Sequence, residues 1–368
     1  NTVLNQDPVS QGTSSRAGAE SLLGTATSGV TTTGGDFGGL IINKDRNNAT
    51  SWVWSDSVMG DFYLSSNSTG AEIATVPAVN SDDITYTFQT TEKTTGLTNR
   101  NKAYTCHYNA DLGFSITGFE GDGVDGHEIP HYLGKEPELV IWKNRDDVTN
   151  WGVKSPLFGQ DEYVLLSTPD ALTSSSTTKA IYSLETVALG TWTSFNGNTD
   201  NIIQYAFTSM PTVCKIDTYI GTGAAGNYVD CGFKAAWVMV KRIDATSNWV
   251  MVDASRGDGF LSSNTSSAEA TADIFDFVDE GFVLKSATTN ELSGQYIFMA
   301  YAEGTAFDGT KTLTNYDYAT TDEVLTINEG TLMAFASGFN ANGELNLQEL
   351  VGAGVTYTLG AGFEDKTL

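Results

Sequence analysis

The chain is poor in cysteine, in basic residues and in long apolar runs, and each shortage argues against a class of protein. Its 368 residues include only three cysteines, Cys106, Cys214 and Cys231. An odd number without close metal-type pairing argues against a disulfide framework or a zinc site. We therefore expect three small buried side chains, although Cys214 and Cys231 could also face one another across a hairpin.

The shortage of basic residues leaves a strongly acidic chain. Lysine and arginine number 19 against 45 aspartates and glutamates, which gives a formal net charge of -26. Such an excess repels nucleic acid phosphates and anionic membrane surfaces. The sequence also contains no run of about 18 apolar residues, the length that a membrane-spanning helix requires. We therefore expect neither nucleic acid binding nor membrane insertion.

The N-terminal region differs in composition from the rest of the chain. Residues 1–36 are rich in Ser, Thr and Gly and nearly free of aromatics, which predicts an extended arm that contacts another molecule. The chain starts with Asn rather than Met, so processing or trimming from a longer product both stay open. From residue 37 onward, short runs of Val, Ile, Tyr, Phe and Thr alternate with Gly, Asn and Asp clusters, as in strands and turns. The best helical candidate is the run at 266–278.

One pattern occurs three times along the chain. An apolar run ends in lysine, tryptophan follows eight residues later and glycine sixteen residues later. The lysines recur after 99 and then 98 residues, and 12 of 29 positions are identical between 44–72 and 241–269. Such self-similarity indicates tandem copies of one structural unit. The three pattern residues of the successive copies are Lys44, Trp52 and Gly60; Lys143, Trp151 and Gly159; and Lys241, Trp249 and Gly257.

A unit of about 95 residues has the size of a stable antiparallel sandwich. We therefore predict an all-β protein of tandem antiparallel β-sandwich domains, jelly-roll or lectin-like, which either stay separate or share strands. Apolar runs ending at Tyr108, Phe207 and Tyr301 are interpreted as the strands that close the copies, and Gly-x-Gly hairpins introduce copies two and three. The predicted segments are an arm at 1–36, repeats at 37–112, 113–212 and 213–303, and a C-terminal β segment or cap at 304–368.

The repeated tryptophans have two interpretations. Because Trp52, Trp151 and Trp249 each follow a turn at a fixed distance, we interpret them as core markers that fill the same place in every copy. The alternative is a sugar-stacking platform. The apolar run before each lysine is nearly continuous, which predicts a strand buried on both faces.

Candidates for catalysis or metal binding are weak. His127 and His131 are four residues apart, but Pro130 argues against a helix that would present both rings together. An acidic cluster has enough oxygens for Ca²⁺ but lacks the full spacing of an EF-hand, so a solvated turn is the favoured interpretation and a Ca²⁺ site the alternative. Paired carboxylates for glycoside hydrolysis do not recur in copy two. We therefore expect no enzyme, no cofactor and no bound metal. The acidic cluster comprises Glu120, Asp122, Asp125 and Glu128.

Several stretches of copies two and three are similar, in order, to tail and other virion structural proteins of bacteriophages, notably marine ones. They read ITGFEGDG, IPHYLGKEPELVIWKNR followed by Trp151, GFKAAWVMVKRIDATSNWVMVDASR, LSSNTSSAE, DEGFVLKS and YIFMAYAE. The resemblance covers 113–303 and more loosely 37–108. It implies a virion component displayed outside the particle and built from lectin-like or jelly-roll-like β domains, and it transfers no catalytic residue.

We therefore expect a structural protein of the virion surface, extracellular, in a tail fibre, a tail-associated position or a capsid decoration. The arm would contact other virion proteins, and a homo-oligomer, with a trimer favoured, suits a fibre. The alternative function is a glycan-binding adhesin in which Tyr63, Tyr163 and Phe260 stack on host surface sugars. A polysaccharide depolymerase is the least favoured function, because no carboxylate pair is common to the copies.

Overall fold

The computed structural model describes residues 38–78 and 83–302, together with four strands nearer the C-terminus. The chain divides into two compact units, Asn1–Phe307 and Asp308–Leu368. The arm predicted at 1–36 lies outside the described residues, as does most of the segment predicted at 304–368.

Within the second unit, the four described strands form two antiparallel pairs. These pairs are Glu323–Thr326 with Thr356–Leu359, and Met333–Phe339 with Leu345–Leu350.

The first copy forms one antiparallel sheet. Its strands are β1 (Gly39–Asp45), β2 (Val53–Asp56), β3 (Phe62–Leu64), β4 (Ile73–Ala74) and β5 (Asp83–Gln89). Their order in the sheet is β4-β3-β2-β1-β5. The long strands β1 and β5 pair along their whole length, from Gly39 opposite Gln89 to Asp45 opposite Asp83.

The second copy forms a large main sheet and a small three-stranded sheet. Its strands are β6 (Glu92–Leu97), β7 (Ala103–Asn109), β8 (Phe114–Glu120), β9 (His127–Pro130), β10 (Leu139–Asn144), β11 (Gly152–Lys154), β12 (Glu162–Leu165), β13 (Thr173–Ser174), β14 (Ala180–Tyr182), β15 (Thr186–Leu189) and β16 (Asn201–Phe207). The main sheet has the order β13-β12-β11-β10-β16-β8-β7-β6, and the small sheet β14-β15-β9.

The third copy repeats this arrangement. Its strands are β17 (Cys214–Ile220), β18 (Asn227–Asp230), β19 (Ala235–Arg242), β20 (Val250–Asp253), β21 (Gly259–Ser262), β22 (Ala270–Thr271), β23 (Phe275–Val278), β24 (Gly281–Leu284) and β25 (Gln295–Ala302). The main sheet has the order β17-β25-β19-β20-β21-β22, and the small sheet β18-β24-β23.

All three copies share one central core. One face of every main sheet contributes to it, including Leu40 and Ile42 from β1, Ile141 from β10 and Met239 from β19. The opposite faces of the second and third main sheets pack against their small sheets in two further cores. The all-β class is confirmed, and the three copies share an interior rather than forming three independent sandwiches. The strand before each repeated lysine is buried on both faces, and in copies two and three it lies between two cores.

The strand that closes copy one differs from the prediction. Lys44 lies opposite Ile84 of β5, just as Lys143 lies opposite Ile203 in copy two. The run ending at Tyr108 is β7, which pairs with β8 in the second main sheet. The interpretation of that run as the closing strand of copy one is therefore wrong, because an inserted β6–β7 hairpin happens to have a similar apolar pattern.

The two Gly-x-Gly turns connect sheets rather than paired strands. The turn after β8 leads from the main sheet to β9 in the small sheet, and the turn after β17 leads in the same way to β18. A Cβ atom at Gly121 would lie 2.1 Å from the carbonyl oxygen of Gly197, and one at Gly221 would lie 2.0 Å from that of Glu291. Only glycine permits this close approach of two backbones.

The helical prediction at 266–278 is also wrong. That segment contains β22 and β23, in which Phe275 and Phe277 lie on one side and pack against the outer core of copy three. This is the alternation of a strand. Within 38–78 and 83–302, the α-helix α1 (Thr193–Asn196) is too short to cross a membrane.

Candidate functional site

The repeated tryptophans join neighbouring copies. All three side chains lie in the central core, with Trp52 and Trp151 fully buried and Trp249 2% exposed. Because each indole is buried, its N–H requires an acceptor. Each indole nitrogen donates to a backbone carbonyl of the preceding copy at 2.8–3.0 Å, which closes a ring of three contacts: Trp52 to Ser262, Trp151 to Ser65 and Trp249 to Leu165.

Buried carboxylates make a second contact between copies. Asp56 of copy one accepts a hydrogen bond from the Tyr205 hydroxyl of copy two at 2.7 Å. Asp253 of copy three accepts one from the Tyr86 hydroxyl of copy one at 2.8 Å. Burial raises the pKa of Asp56, opposed by hydrogen bonds from the Met59 N–H and the Tyr205 hydroxyl. Asp56 and Asp253 both lie twelve residues after the repeated lysine of their copy, and this shared contact explains why copies one and three have aspartate there.

Ion pairs make a third contact at the same two interfaces. Arg145 of copy two bonds Glu72 of copy one at 2.7 Å, and Arg46 of copy one bonds Glu269 of copy three at 2.7 Å. The backbone N–H of each glutamate also donates to the carbonyl of its arginine partner at 2.8 Å. Side chains and backbone thus fix the same contact.

The interface between copies two and three has neither pair. The position of the aspartate is Ser155 and that of the tyrosine is Met299, while the ion pair is replaced by Leu172 and Ile243. The Leu172 N–H still donates to the Ile243 carbonyl at 2.8 Å, and both side chains pack at the central core. At this interface both members of each polar pair are replaced, so no buried polar group is left without its partner.

The repeated lysines stabilise the turn before each tryptophan. Lys44 is 1% exposed, and Lys143 and Lys241 are fully buried. Burial lowers the pKa of Lys143 and of Lys241 to about 8. Each amine donates to backbone carbonyls of the turn that follows it, which explains the fixed spacing from lysine to tryptophan: Lys44 to Asp45 and Asn48, Lys143 to Asn144 and Asp147, and Lys241 to Ser247. The Lys241 amine also donates to the Pro169 carbonyl of copy two.

The aromatics predicted to contact glycans occupy equivalent positions on three separate sheets. Tyr63, Tyr163 and Phe260 lie on the third strand of each main sheet, on the face away from the central core, and all are half-buried. Phe260 packs against the outer core of copy three. The Tyr163 ring lies 4.8 Å from that of Trp192. The structure does not bring these three rings to one site.

The histidines and acidic residues singled out from the sequence have internal partners. His127 bonds Asn196 at 3.1 Å and Thr98 at 2.8 Å, and both His127 and His131 are fully buried. Burial lowers the pKa of His131 to about 4. Basic residues lie within 4 Å of three of the four clustered acids: Lys102 with Glu120, Arg100 with Asp122 and Lys179 with Asp125. No metal-binding group of three or more such side chains occurs among the described residues.

The three cysteines are all buried and unpaired with one another. Burial raises the pKa of each thiol to about 12, so they stay protonated at neutral pH.

A partly exposed aromatic cluster was not found from the sequence. Tyr104 and Tyr108 of β7 and Tyr132 after β9 form what we call the tyrosine patch. The Tyr108 and Tyr132 rings stack with centroids 5.2 Å apart, and the Tyr104 and Tyr132 hydroxyls lie 2.5 Å apart. Burial raises the pKa of Tyr104 to about 12, with a smaller effect from this hydrogen bond. The signal available in the sequence was two tyrosines on one face of a strand.

A family model matches residues 84–305 and is described as a domain of unknown function, DUF7483. The chain belongs to the DUF7483 family. No curated protein and no solved structure matches it.

The DUF7483 match contains the second copy with its inserted hairpin, the third copy, and β5 from Ile84 onward. Strands β1–β4 precede it, although Leu40, Trp52 and Leu64 belong to the same central core as the matched residues. In this chain, the DUF7483 region therefore shares its interior with the first sheet. The whole tyrosine patch lies inside the matched region.

Proposed function

We propose that this chain is a structural component of a bacteriophage virion, exposed on the particle surface, which acts through assembly and surface contacts rather than catalysis. The observation that carries the proposal is the use of the repeated polar residues. The lysines, tryptophans, aspartates and arginines shared by copies are directed to turns or to neighbouring copies, as a scaffold requires.

The virion assignment is supported by the resemblance of residues 113–303 to phage tail and virion proteins. The net charge of -26 suits a protein that does not contact packaged nucleic acid. We propose that residues 1–36 contact other virion proteins and that the chain forms a homo-oligomer, with a trimer favoured. The proposed position is a tail fibre, a tail-associated site or a capsid decoration.

The test is to locate the chain in purified particles. Cross-linking and mass spectrometry of intact virions should recover this chain linked to another virion protein, with links from lysine-reactive or carboxylate-reactive reagents. Light scattering of the purified full chain should give an oligomeric mass. Particles that lack the chain, or a monomer without any link to another virion protein, would contradict the proposal.

The second candidate function is a glycan-binding adhesin. The observation that favours it is the tyrosine patch, in which Tyr132 is 38% exposed although two further rings pack beside it. A receptor-binding role is compatible with a surface position on the virion, so the two candidates can hold together.

A further inference from the structure

We infer that the tyrosine patch is a binding site for a neutral hexopyranose sugar. This inference deepens the second candidate function and rests on it, while the virion proposal stands or falls separately. The patch differs from the aromatic positions predicted from the sequence, which lie on three separate sheets.

The backbone at Tyr132 is the first observation that supports a site. Tyr132 has φ 56°, in the left-handed region that favours glycine. The equivalent position in copy three, two residues after the end of β18, is Gly232 with φ 73°. Copy two thus keeps a tyrosine where the same turn elsewhere has glycine. Strain of this kind persists where the side chain is needed.

The inserted hairpin is the second observation. Strands β6 and β7 extend the second main sheet beyond β8, whereas the third main sheet ends at the equivalent β17 in the described residues. The hairpin contributes Tyr104 and Tyr108, and the turn after β9 contributes Tyr132. Two features that copy three does not share therefore meet at one place.

The patch combines ring faces with polar groups. Opposite Tyr104 on β6 lies Gly96, where an added Cβ would lie 2.7 Å from the Tyr104 hydroxyl oxygen, so the ring covers this position of the edge strand. Thr94 and Glu92 follow on the same face of β6, half-buried and exposed respectively. Phenol rings can pack on the apolar face of a sugar ring. Hydroxyl and carboxylate groups nearby can bond its hydroxyls.

Size, ring geometry and charge select the ligand class. Three rings are far fewer than the roughly 20–30 residues per side of a stable protein interface. The Tyr108 and Tyr132 planes are only 21° apart at 5.2 Å, so they stack on each other instead of enclosing a cation as an aromatic cage does. The net charge of -26 disfavours anionic sugars. A neutral pyranose is the class that remains.

Saturation-transfer difference NMR on the full chain tests the inference, because it detects ligands with Kd near 1 mM. The probes are the methyl glycosides of glucose, galactose, mannose, N-acetylglucosamine and N-acetylgalactosamine, with sialyllactose as the anionic comparison. We expect transfer to the ring C–H protons of at least one neutral probe and a weaker effect on sialyllactose.

The decisive variant is Tyr132→Gly, which gives the turn the residue of copy three. It should weaken binding at least about tenfold. The glycine suits the left-handed backbone, which offsets part of the lost ring contacts with Tyr104 and Tyr108, and the melting temperature checks that the variant stays folded at the temperature of the binding assay. Tyr228→Ala is the matched control, since Tyr228 is 48% exposed in copy three and should leave binding unchanged. Absence of transfer to all neutral probes, preference for sialyllactose, or undiminished binding in Tyr132→Gly would overturn the inference. None of these results bears on whether the chain is found in virions.

Discussion

The polar contact between copies one and two can be replaced by the residues found at the equivalent positions between copies two and three. This substitution tests how the copies hold one another. Asp56 and Tyr205 form a buried pair between copies one and two, and the equivalent positions between copies two and three are Ser155 and Met299. The perturbation is therefore Asp56→Ser and Tyr205→Met, singly and together. Each substitution introduces a residue that the chain already uses at that position.

The expected magnitudes follow from the partners left behind. Asp56→Ser leaves the Tyr205 hydroxyl buried without its acceptor, which costs about 1–3 kcal/mol. Tyr205→Met removes a hydrogen bond to the Asp56 carboxyl, which costs about 1.5–3 kcal/mol if that group is charged. In the double variant neither group is present. We therefore expect the double variant to lose about 1–3 kcal/mol less free energy of unfolding than the sum of the losses in the two single variants.

The assay is urea unfolding followed by circular dichroism, with the free energy of unfolding taken for all four proteins. The matched control combines Asp56→Ser with Tyr86→Met, because Tyr86 bonds Asp253 and shares no hydrogen-bond partner with Asp56. That control should give effects that add within about 0.5 kcal/mol. If the effects of Asp56→Ser and Tyr205→Met simply add, these residues do not act as one unit across the interface.

Two further predictions concern the repeated lysine and tryptophan. Trp151→Phe should lower the free energy of unfolding in urea by about 1–3 kcal/mol, because the carbonyls of Ser65 and Ser68 lose the indole N–H. Trp192→Phe is the control at a half-buried site and should have a smaller effect. Equal effects of the two substitutions would contradict the role of Trp151. Burial lowers the pKa of Lys143 and Lys241 to about 8 from an ordinary 10.5. Above pH 8 the unfolded chain therefore binds more protons at these lysines than the folded chain does. Their contribution should make the free energy of unfolding rise with pH between 8 and 9. Lys143→Met should reduce that slope in unfolding titrations and the exposed Lys135→Met should not; an unchanged slope in Lys143→Met would contradict the assigned cause.

Much of the fold could be predicted from the sequence because each copy repeats the same chemical constraints. A continuous apolar run before Lys44, Lys143 and Lys241 predicts a strand buried on both faces, and in copies two and three the two layers are the central and outer cores. The fixed distance from lysine to tryptophan reflects a turn stabilised by the lysine amine. These features are local to each copy, so comparison of the three copies is sufficient to recognise them.

Features that depend on pairing between distant segments could not be predicted. The strand at Tyr108 and the closing strands of the other copies have the same apolar alternation, and only hydrogen-bond register distinguishes them. The exchange of Asp56 and Tyr205 for Ser155 and Met299 looked like loss of a repeated carboxylate, because the partner lies 149 positions away. The tyrosine patch likewise needs the turn after β9 to meet an inserted hairpin.

Three copies share one interior and hold one another in a closed ring. Native-state hydrogen exchange in increasing urea tests this arrangement, because it gives the opening free energy of amides in β1, β10 and β19. We expect the most protected amides of these three strands to open with the same free energy and the same urea dependence, as one cooperative unit. Three separate opening free energies, with copy one exchanging while copies two and three stay protected, would contradict it.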